Sequence, residues 1–254
     1  MPDTARDNLT PDPEGLRALR EDLAACFRAA ADHGFAEGVC NHFSAVVPGN
    51  DDLFVVNPFG LAFAEIRASD LLVCDHDGHV LQGEGEPEDT AFFIHSRLHK
   101  LLPRAKVAFH THMPYATALS MVEGPPLQWA GQNALRFYGR MLVDEDYNGL
   151  ALDTTEGDRI AGAIGDADVV FMRNHGVMVI GASVAQVWDD LYYLERACEA
   201  QVIAESTGRK LVPVAQDVIE ATYAQTQSVG PDSSRAHLAS IRRRLDRAGS
   251  DYAV

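Results

Sequence analysis

The sequence is poor in basic residues, with 21 Lys and Arg against 37 Asp and Glu among 254 residues, and its formal net charge is −16. Nucleic acids and anionic membranes are bound through clustered Lys and Arg, so this balance argues against both as partners. The sequence also lacks an apolar run long enough to cross a bilayer. Residues 1–13 are polar and contain no apolar signal-peptide segment, so we expect a cytoplasmic protein.

No Cys-x-x-Cys pair occurs among the four cysteines, which are Cys26, Cys40, Cys74 and Cys198. Their scattered positions predict reduced, buried thiols and not a disulfide framework. Hydrophobic residues make up 46% of the chain and charged residues 23%, which are globular proportions. A chain of this length can form one large domain or a domain with an appendage.

Helical and strand patterns alternate along the chain. Apolar residues at three- and four-residue steps predict a helix from Leu16 to Gly34, and short apolar segments broken by Gly, Pro, Asn and Asp predict antiparallel strands between residues 43 and 81. Four further helices and three further strands are predicted: helices over 90–102, 115–121, 155–164 and 183–205, and strands over 107–109, 168–172 and 177–180.

This alternation indicates one α/β domain with a mainly antiparallel sheet and helices on its faces. No Gly-rich phosphate loop follows the first strand, which disfavours a doubly wound sheet. We expect a flexible leader over 1–13, the domain over 14–206 and a C-terminal arm over 207–254. Within the arm, short helices are predicted over 218–223 and 238–245, on either side of a polar stretch.

Three histidines carry the strongest chemical signal. His110 and His112 stand two apart at the end of the apolar strand 107–109, and alternate strand residues point to the same face. His175 lies just past the apolar strand 169–172 and precedes Gly176. Two strands that end in histidines can place three imidazoles around one divalent metal and leave a coordination position open, as in a catalytic site.

Several segments around these histidines resemble the class II aldolase/adducin family. The resemblance covers roughly residues 16–205. The segments that carry it are Ala108-Phe109-His110-Thr111-His112, Arg173-Asn174-His175-Gly176-Val177, Gly38-Val39-Cys40-Asn41-His42-Phe43-Ser44, Asn57-Pro58-Phe59-Gly60-Leu61 and Tyr192-Tyr193-Leu194-Glu195-Arg196-Ala197-Cys198. It implies a three-layer α/β/α fold with a central, mainly antiparallel sheet, a homotetramer, and His110, His112 and His175 as ligands of one metal per subunit. We expect zinc, with manganese and iron as alternatives.

Two loops are candidates for substrate binding. Asn41, His42 and Ser44 form a turn rich in hydrogen-bonding groups, which either shapes the chain or binds substrate. Gly60 follows Pro58 in a turn that favours positive φ, and its backbone N–H could face an anionic group. Tyr138 lies after the His-x-His segment, where aldolases of the family carry a tyrosine proton donor, and is a candidate for that role.

The sequence departs from the aldolases of the family at one position. Those enzymes carry a glutamate acid/base on the helix before the His-x-His strand, and alignment puts Ala91 there. The adducin-like branch commonly lacks this glutamate. His95, one helical turn later, lies on the same helix face and could be a base, a fourth metal ligand or a packing residue. Glu86 and Glu88 in the preceding loop are further candidates.

An open three-histidine metal site acts as a Lewis acid on oxygenated compounds. We therefore expect a metal-dependent lyase of the retro-aldol or decarboxylation type, with a small hydroxy- or keto-acid-like substrate. Two alternatives use the same sequence features. One is a non-haem iron oxygenase on the same three imidazoles, and the other is a non-catalytic, adducin-like assembly module.

Overall fold

Eight strands and seven helices make up the computed structural model within the residues that it describes, 12–146 and 148–254. The strands are β1 (His42–Val47), β2 (Asn50–Val56), β3 (Leu72–Asp75), β4 (Val80–Gln82), β5 (Val107–Thr111), β6 (Met141–Asp144), β7 (Val169–Met172) and β8 (Gly176–Gly181). They form one sheet in the order β4-β3-β2-β1-β5-β8-β7-β6. Every neighbouring pair is antiparallel except β6 and β7, which run parallel.

The helices cover both faces of the sheet. They are α1 (Pro13–Asp32), α2 (Asp89–Leu101), α3 (Pro114–Ser120), α4 (Gln132–Leu135), α5 (Thr154–Ala163), α6 (Val184–Ser206) and α7 (Gln216–Arg247), with a single 3-10 turn at Ala68–Asp70. Helices α2 and α5 pack together over one face, and the other helices pack over the opposite face. The three-layer fold with a central, mainly antiparallel sheet is confirmed.

The register of the central strands determines where the polar side chains go. His42 in β1 pairs with His110 in β5, and Thr111 in β5 pairs with Val177 in β8. Side chains alternate between the two faces of a strand, and Phe43 and Phe109 belong to the large core under α1 and α6. The residues on either side of them in sequence, including both histidines, therefore point to the face that α2 covers.

The C-terminal segment differs from the expectation. Instead of two short helices around a polar stretch, α7 is one helix of 32 residues with Pro231 inside it. A proline in a helix interior removes one backbone hydrogen bond and disfavours the helix locally. Leu238, Ile241 and Leu245 are buried in the main core, so packing against the domain offsets this cost. The boundary at residue 206 stays a prediction.

Three smaller differences concern the ends and edges. Helix α1 begins at Pro13, where the Asp12 carboxylate accepts hydrogen bonds from two backbone N–H groups, so the helix starts before Leu16. The rest of the expected leader, 1–11, lies outside the described residues. Strand β6 was not predicted. Cys40 is exposed, whereas the other three cysteines are buried as expected.

None of the helices in the described ranges combines the length and the apolar character that a transmembrane helix needs.

Candidate active site

Three imidazole rings converge where β5 ends and β8 begins. Ring nitrogens of His110, His112 and His175, called the triad below, all lie within 4.8 Å of one another. Nε2 of His110 is 3.1 Å from Nε2 of His112. The ring centroid of His175 is 4.8 Å from that of His110 and 4.9 Å from that of His112. The structure thus brings together the three histidines that the sequence analysis selected.

The hydrogen-bond partners of Nδ1 in His110 and His112 determine which ring nitrogens of these residues carry no proton. Nδ1 of His110 lies 3.0 Å from the carbonyl oxygen of Val177, which can only accept, and Nδ1 of His112 is bonded to the Glu37 carboxylate. Each Nδ1 therefore carries the proton, and each Nε2 keeps its lone pair. Ligating histidines are commonly oriented by such a carbonyl or carboxylate.

Two lone pairs that face each other at 3.1 Å repel unless a cation lies between them. Two nitrogens bound at 2.0–2.1 Å to a tetrahedral zinc ion stand about 3.3 Å apart, close to this spacing. The donor set, three imidazoles and no thiolate, is typical of a catalytic zinc site or another borderline divalent metal site. The triad therefore fits a divalent metal.

Burial keeps His110 and His175 in the neutral form that binds metals. The pKa of His110 is well below its ordinary value, because burial and the neighbouring histidines disfavour the charged ring. Burial, together with His112 and His42, lowers the pKa of His175 to about 4, although Glu37 acts in the opposite direction. At neutral pH these rings are unprotonated ligands.

The turn before β8 brings its backbone close to β5. Asn174 has φ 57°, a left-handed conformation that asparagine tolerates better than most residues. A Cβ on Gly176 would lie 2.6 Å from the carbonyl oxygen of Thr111 and 2.8 Å from Cδ2 of His112. Only glycine fits this approach, so Gly176 determines how closely His175 can come to the other two histidines.

The turn before β1 supplies a second set of polar groups. Asn41 is fully buried with φ 89°, and its Oδ1 accepts a hydrogen bond of 3.4 Å from the backbone N–H of His112. Asn57 holds the turn by donating to the Asn41 carbonyl at 3.4 Å and accepting from the N–H of Phe43 at 3.3 Å. Nδ2 of Asn41 has no hydrogen-bond partner among the described residues. A buried amide N–H group without a hydrogen-bond partner is a candidate position for binding a ligand.

Glu88 caps α2 and carries a negative charge beside His42. Its carboxylate accepts hydrogen bonds from the N–H of Ala91, at 2.8 Å, and from the Thr90 hydroxyl, and lies 3.2 Å from Nε2 of His42. Burial raises the pKa of Glu88, but hydrogen bonds from these three residues and the charge of His42 outweigh it and bring the pKa to about 2. Ala91 is buried in the first turn of α2.

His95 lies behind His42. The centroid of the His42 ring is 5.8 Å from that of His95 and 5.8 Å from that of His110. Nδ1 of His95 is 2.5 Å from the Ser44 hydroxyl oxygen, which is 2.7 Å from Nε2 of His99. Nε2 of His95 is buried without a hydrogen-bond partner among the described residues. The structure thus places Ser44 between two histidines.

These groups surround one cavity of about 150 Å³. Its lining includes the triad, Asn41, His42, Glu88 and His95, with Asp144, Asp146, Glu156 and Arg173 among the remaining lining residues. The Arg159 guanidinium pairs with Asp144 at 2.7 and 2.8 Å and with Glu156 at 2.7 Å. Arg173 pairs with Glu145 at 2.7 and 2.8 Å. The cavity wall is rich in carboxylates, and its guanidinium is already paired.

Three other candidates lie apart from this lining. Tyr138 accepts a hydrogen bond of 2.7 Å from Gln216 and contacts the Trp129 ring beside α7. Gly60 is exposed in its turn, with φ 92°, so the expected positive φ is confirmed, but its N–H does not reach the cavity lining. Glu86 is exposed, and its carbonyl accepts from the N–H of Phe59 at 2.8 Å. Their roles stay predictions.

Sequence reasoning did not single out Glu37 or His99 for a role. Glu37 is 75 residues from the histidine that it orients, and no local pattern relates the two. His99 offered one signal, its position one helical turn after His95 on the same face of α2.

The comparisons agree with this site and fold. Residues 21–202 match the family model of the Class II Aldolase and Adducin N-terminal domain. An aldolase II superfamily protein from Pseudomonas syringae has a similar crystal structure, with a TM-score of 0.88 and 33% identity over 99% of this chain and 100% of that one. L-fuculose 1-phosphate aldolase from Glaciozyma antarctica PI12 has a TM-score of 0.83 and 27% identity, over 96% and 94% of the two chains. Decarboxylase NovR from Streptomyces niveus is 29% identical over 192 residues, 73% of this chain and 69% of that protein.

Proposed function

Because this chain belongs to the class II aldolase and adducin family, we propose that it is a metal-dependent lyase of the retro-aldol or decarboxylation type. The observation that carries the proposal is the pair of bare Nε2 atoms of His110 and His112, which face each other at 3.1 Å inside a cavity. A divalent metal held there, zinc in our proposal, supplies Lewis-acid stabilisation of negative charge that develops on substrate oxygens.

The charges around the cavity favour a small hydroxy- or keto-acid over a sugar phosphate. Of the similar proteins named above, the Glaciozyma antarctica protein is named a sugar-phosphate aldolase and the Streptomyces niveus protein a decarboxylase. A phosphate group is commonly held by Arg, Lys or a helix N-terminus. The Arg173 guanidinium in this lining is already paired with Glu145, and the negative charge of Glu88 repels a phosphate dianion. The single carboxylate of a hydroxy- or keto-acid has less negative charge than a phosphate dianion and is therefore repelled less.

Proton transfer falls to a residue other than Ala91, whose methyl side chain cannot carry a proton. We propose His95, because its bare Nε2 is buried in the cavity wall and lacks a protein partner among the described residues. The Glu88 carboxylate, in contrast, is already engaged by the N–H of Ala91, the Thr90 hydroxyl and His42. We expect a His95→Asn variant to keep its fold and its metal and to lose about 10²–10⁴-fold in turnover, the usual contribution of a general acid or base.

We further propose a homotetramer with the cavity near a subunit boundary. Leu150 lines the cavity and is 74% exposed, and Val122, whose carbonyl accepts from Arg173, is 48% exposed. Apolar side chains in such positions are common at interfaces between subunits. Tyr138 lies apart from the cavity of its own chain, so in a tetramer it could contact only the equivalent cavity of a neighbouring subunit. Sedimentation that gives a monomer near 27.6 kDa at micromolar concentration contradicts the proposal.

The deciding experiment is metal analysis of protein purified without chelator, followed by a screen of hydroxy- and keto-acids for carbon–carbon cleavage. We expect one divalent metal per chain and cleavage that does not depend on oxygen. Turnover that consumes oxygen and requires iron would favour an oxygenase instead. Protein without stoichiometric metal would contradict the proposal.

A further inference from the structure

Behind the cavity, three buried side chains form a hydrogen-bonded series that ends on a backbone carbonyl. Nδ1 of His99 lies 2.6 Å from the carbonyl oxygen of Ala105, and Nε2 of His99 lies 2.7 Å from the Ser44 hydroxyl oxygen. That oxygen lies 2.5 Å from Nδ1 of His95. We call His95, Ser44 and His99 the relay. Their exposed fractions are 1%, 0% and 6%, so water does not compete for these hydrogen bonds.

The carbonyl at one end determines the direction of each hydrogen bond. The Ala105 oxygen can only accept, so the proton of a neutral His99 ring is on Nδ1 and its Nε2 accepts. The Ser44 hydroxyl therefore donates its one proton to His99 and has only lone pairs left for His95. His95 must then donate from Nδ1, which leaves its Nε2 without a proton.

We propose that Ser44 and His99 are positioning residues that hold His95 in the tautomer with a bare Nε2, so that this nitrogen accepts a hydrogen bond from a hydroxyl group of the substrate. The tautomer follows from the hydrogen bonds of the chain alone. The assignment of a substrate hydroxyl rests in addition on the proposed lyase function.

Burial keeps both rings of the relay neutral, as this direction requires. It lowers the pKa of His99 to about 4, and it lowers the pKa of His95 well below the ordinary value, with His42 and His99 adding to the effect. If His99 were doubly protonated, its Nε2 would donate to Ser44 and the direction would reverse. At neutral pH that form is a minor one.

Two of the unpartnered groups in the cavity wall complement one class of ligand. Nε2 of His95 accepts and Nδ2 of Asn41 donates, and both are buried without a partner among the described residues. A ligand that carries a hydroxyl donor and an oxygen acceptor satisfies both, as a 2-hydroxy acid does. A ligand that lacks the hydroxyl leaves the His95 lone pair buried and unpaired, which is unfavourable.

The tautomer is measurable without substrate or metal. In solid-state ¹⁵N NMR of histidine-labelled protein, a ring nitrogen with a proton and a bare one resonate far apart, and the His95 signals are those missing from His95→Gln. We expect a protonated Nδ1 and a bare Nε2 in the unmodified protein. A protonated Nε2 would overturn the proposal, whatever the catalytic activity.

Two serine variants test the positioning role. Ser44→Ala removes the acceptor for Nδ1 of His95. We expect the ring proton to move to Nε2, where the N–H can donate a hydrogen bond to water in the cavity. Ser96→Ala is the matched control, since Ser96 is fully buried beside His95 in α2 and its hydroxyl has no partner among the described residues. We expect Ser96→Ala to leave the tautomer unchanged. An unchanged tautomer in Ser44→Ala would show that Ser44 does not position His95.

Binding of a matched pair of ligands tests the substrate hydroxyl. Glycolate carries the hydroxyl, whereas methoxyacetate replaces its proton by a methyl group. By calorimetry on the zinc-loaded protein, we expect glycolate to bind roughly tenfold more tightly than methoxyacetate, the usual effect of one unsatisfied buried acceptor. The ratio should fall toward one in Ser44→Ala and persist in Ser96→Ala. Equal ratios in both variants would overturn the hydroxyl assignment, whereas failure to bind zinc would refute the proposed function and leave the tautomer result standing.

Discussion

The triad and the relay both consist of buried histidines, but their ring nitrogens are satisfied in opposite ways. In the triad, Val177 and Glu37 accept hydrogen bonds from the Nδ1–H groups of His110 and His112, and the Nε2 lone pairs of these two rings face one another. In the relay, Nδ1 of His95 and Nε2 of His99 are paired through Ser44, and Nε2 of His95, a residue of the cavity lining, has no partner among the described residues. Facing lone pairs require a cation, whereas an isolated lone pair requires a proton donor. The same residue type therefore serves two functions, and the neighbouring hydrogen-bond partners decide which.

The largest effect should come from removing two nitrogens of the triad. We expect the double variant His110→Ala/His112→Ala to lose stoichiometric metal, because a single remaining imidazole does not hold a borderline divalent ion. Metal content after dialysis against the metal at low concentration measures this. The His95→Asn variant is the control within the relay and should retain the metal.

Either of two results would contradict the distinction between a metal-binding triad and a relay that does not bind metal. Full metal content in the double variant would mean that the metal is bound elsewhere. Loss of metal in His95→Asn would mean that the relay histidine is a ligand and that the two groups form one site.

A second effect should come from the backbone between β5 and β8. Gly176→Ala places a methyl group 2.6 Å from the Thr111 carbonyl oxygen, so the turn must move and carry His175 away from the other two rings. We expect metal affinity to fall by about 100-fold, as for a displaced ligand. Competition with a fluorescent chelator measures it. Gly162→Ala in α5 is the control, since a Cβ there meets no atom within 4 Å, and we expect unchanged affinity from it.

If Gly176→Ala binds metal as tightly as the unmodified protein, the triad adapts to its ligand and its spacing in the structure is not decisive.

A smaller effect is expected from the residue that orients one triad ring. Glu37→Gln removes the negative charge that holds the proton on Nδ1 of His112. Losses of about 10- to 100-fold in metal affinity follow from such changes around ligating histidines. The same chelator competition applies, with Glu205→Gln as control because Glu205 is exposed at the end of α6. An affinity equal to that of the control would mean that Val177 and the protein backbone alone orient the triad.

Local patterns predicted those parts of the site whose residues are close in sequence. The His-x-His pair and the turn at His175 were visible because each follows an apolar strand. The strands β1 to β5 and β7 to β8 were recognisable as short apolar segments bounded by turn residues. Helix α7 was not, because Pro231 and its polar neighbours argue against a helix that only packing of distant residues supports. Tertiary packing overrides local propensity in such cases.

The relay could not be read from the sequence for the same reason. Ser44 is 51 residues from His95 and 55 from His99, and the two elements meet only through the register of β1 under α2. The sequence left two roles open for Ser44, shaping the turn or binding substrate. In the structure its hydroxyl is bonded to two histidines between β1 and α2, which is the arrangement of the proposed positioning residue.

The smallest effect concerns Glu88, whose carboxylate lies 3.2 Å from Nε2 of His42 and caps α2, the helix that carries His95 and His99. Its pKa in the folded protein, about 2, is below the ordinary value of 4.5. Its contribution to stability is therefore fully present above about pH 4.5 and disappears as the pH falls through 2. For Glu88→Gln in metal-free protein we expect the free energy of unfolding at pH 7 to fall by about 1 kcal/mol, the usual value of a lost N-cap interaction.

Urea unfolding of the Glu88→Gln variant at a series of pH values checks both the size and the direction of this effect. The difference between the unmodified protein and the variant should shrink steadily from pH 5 downward, since the unmodified carboxylate becomes protonated and loses its advantage over the neutral amide. Glu84→Gln, at an exposed position of the same loop, should follow the unmodified protein at every pH. The absence of a difference at every pH would mean that Glu88 stabilises α2 only through hydrogen bonds that glutamine also makes, and that its negative charge beside His42 does not contribute.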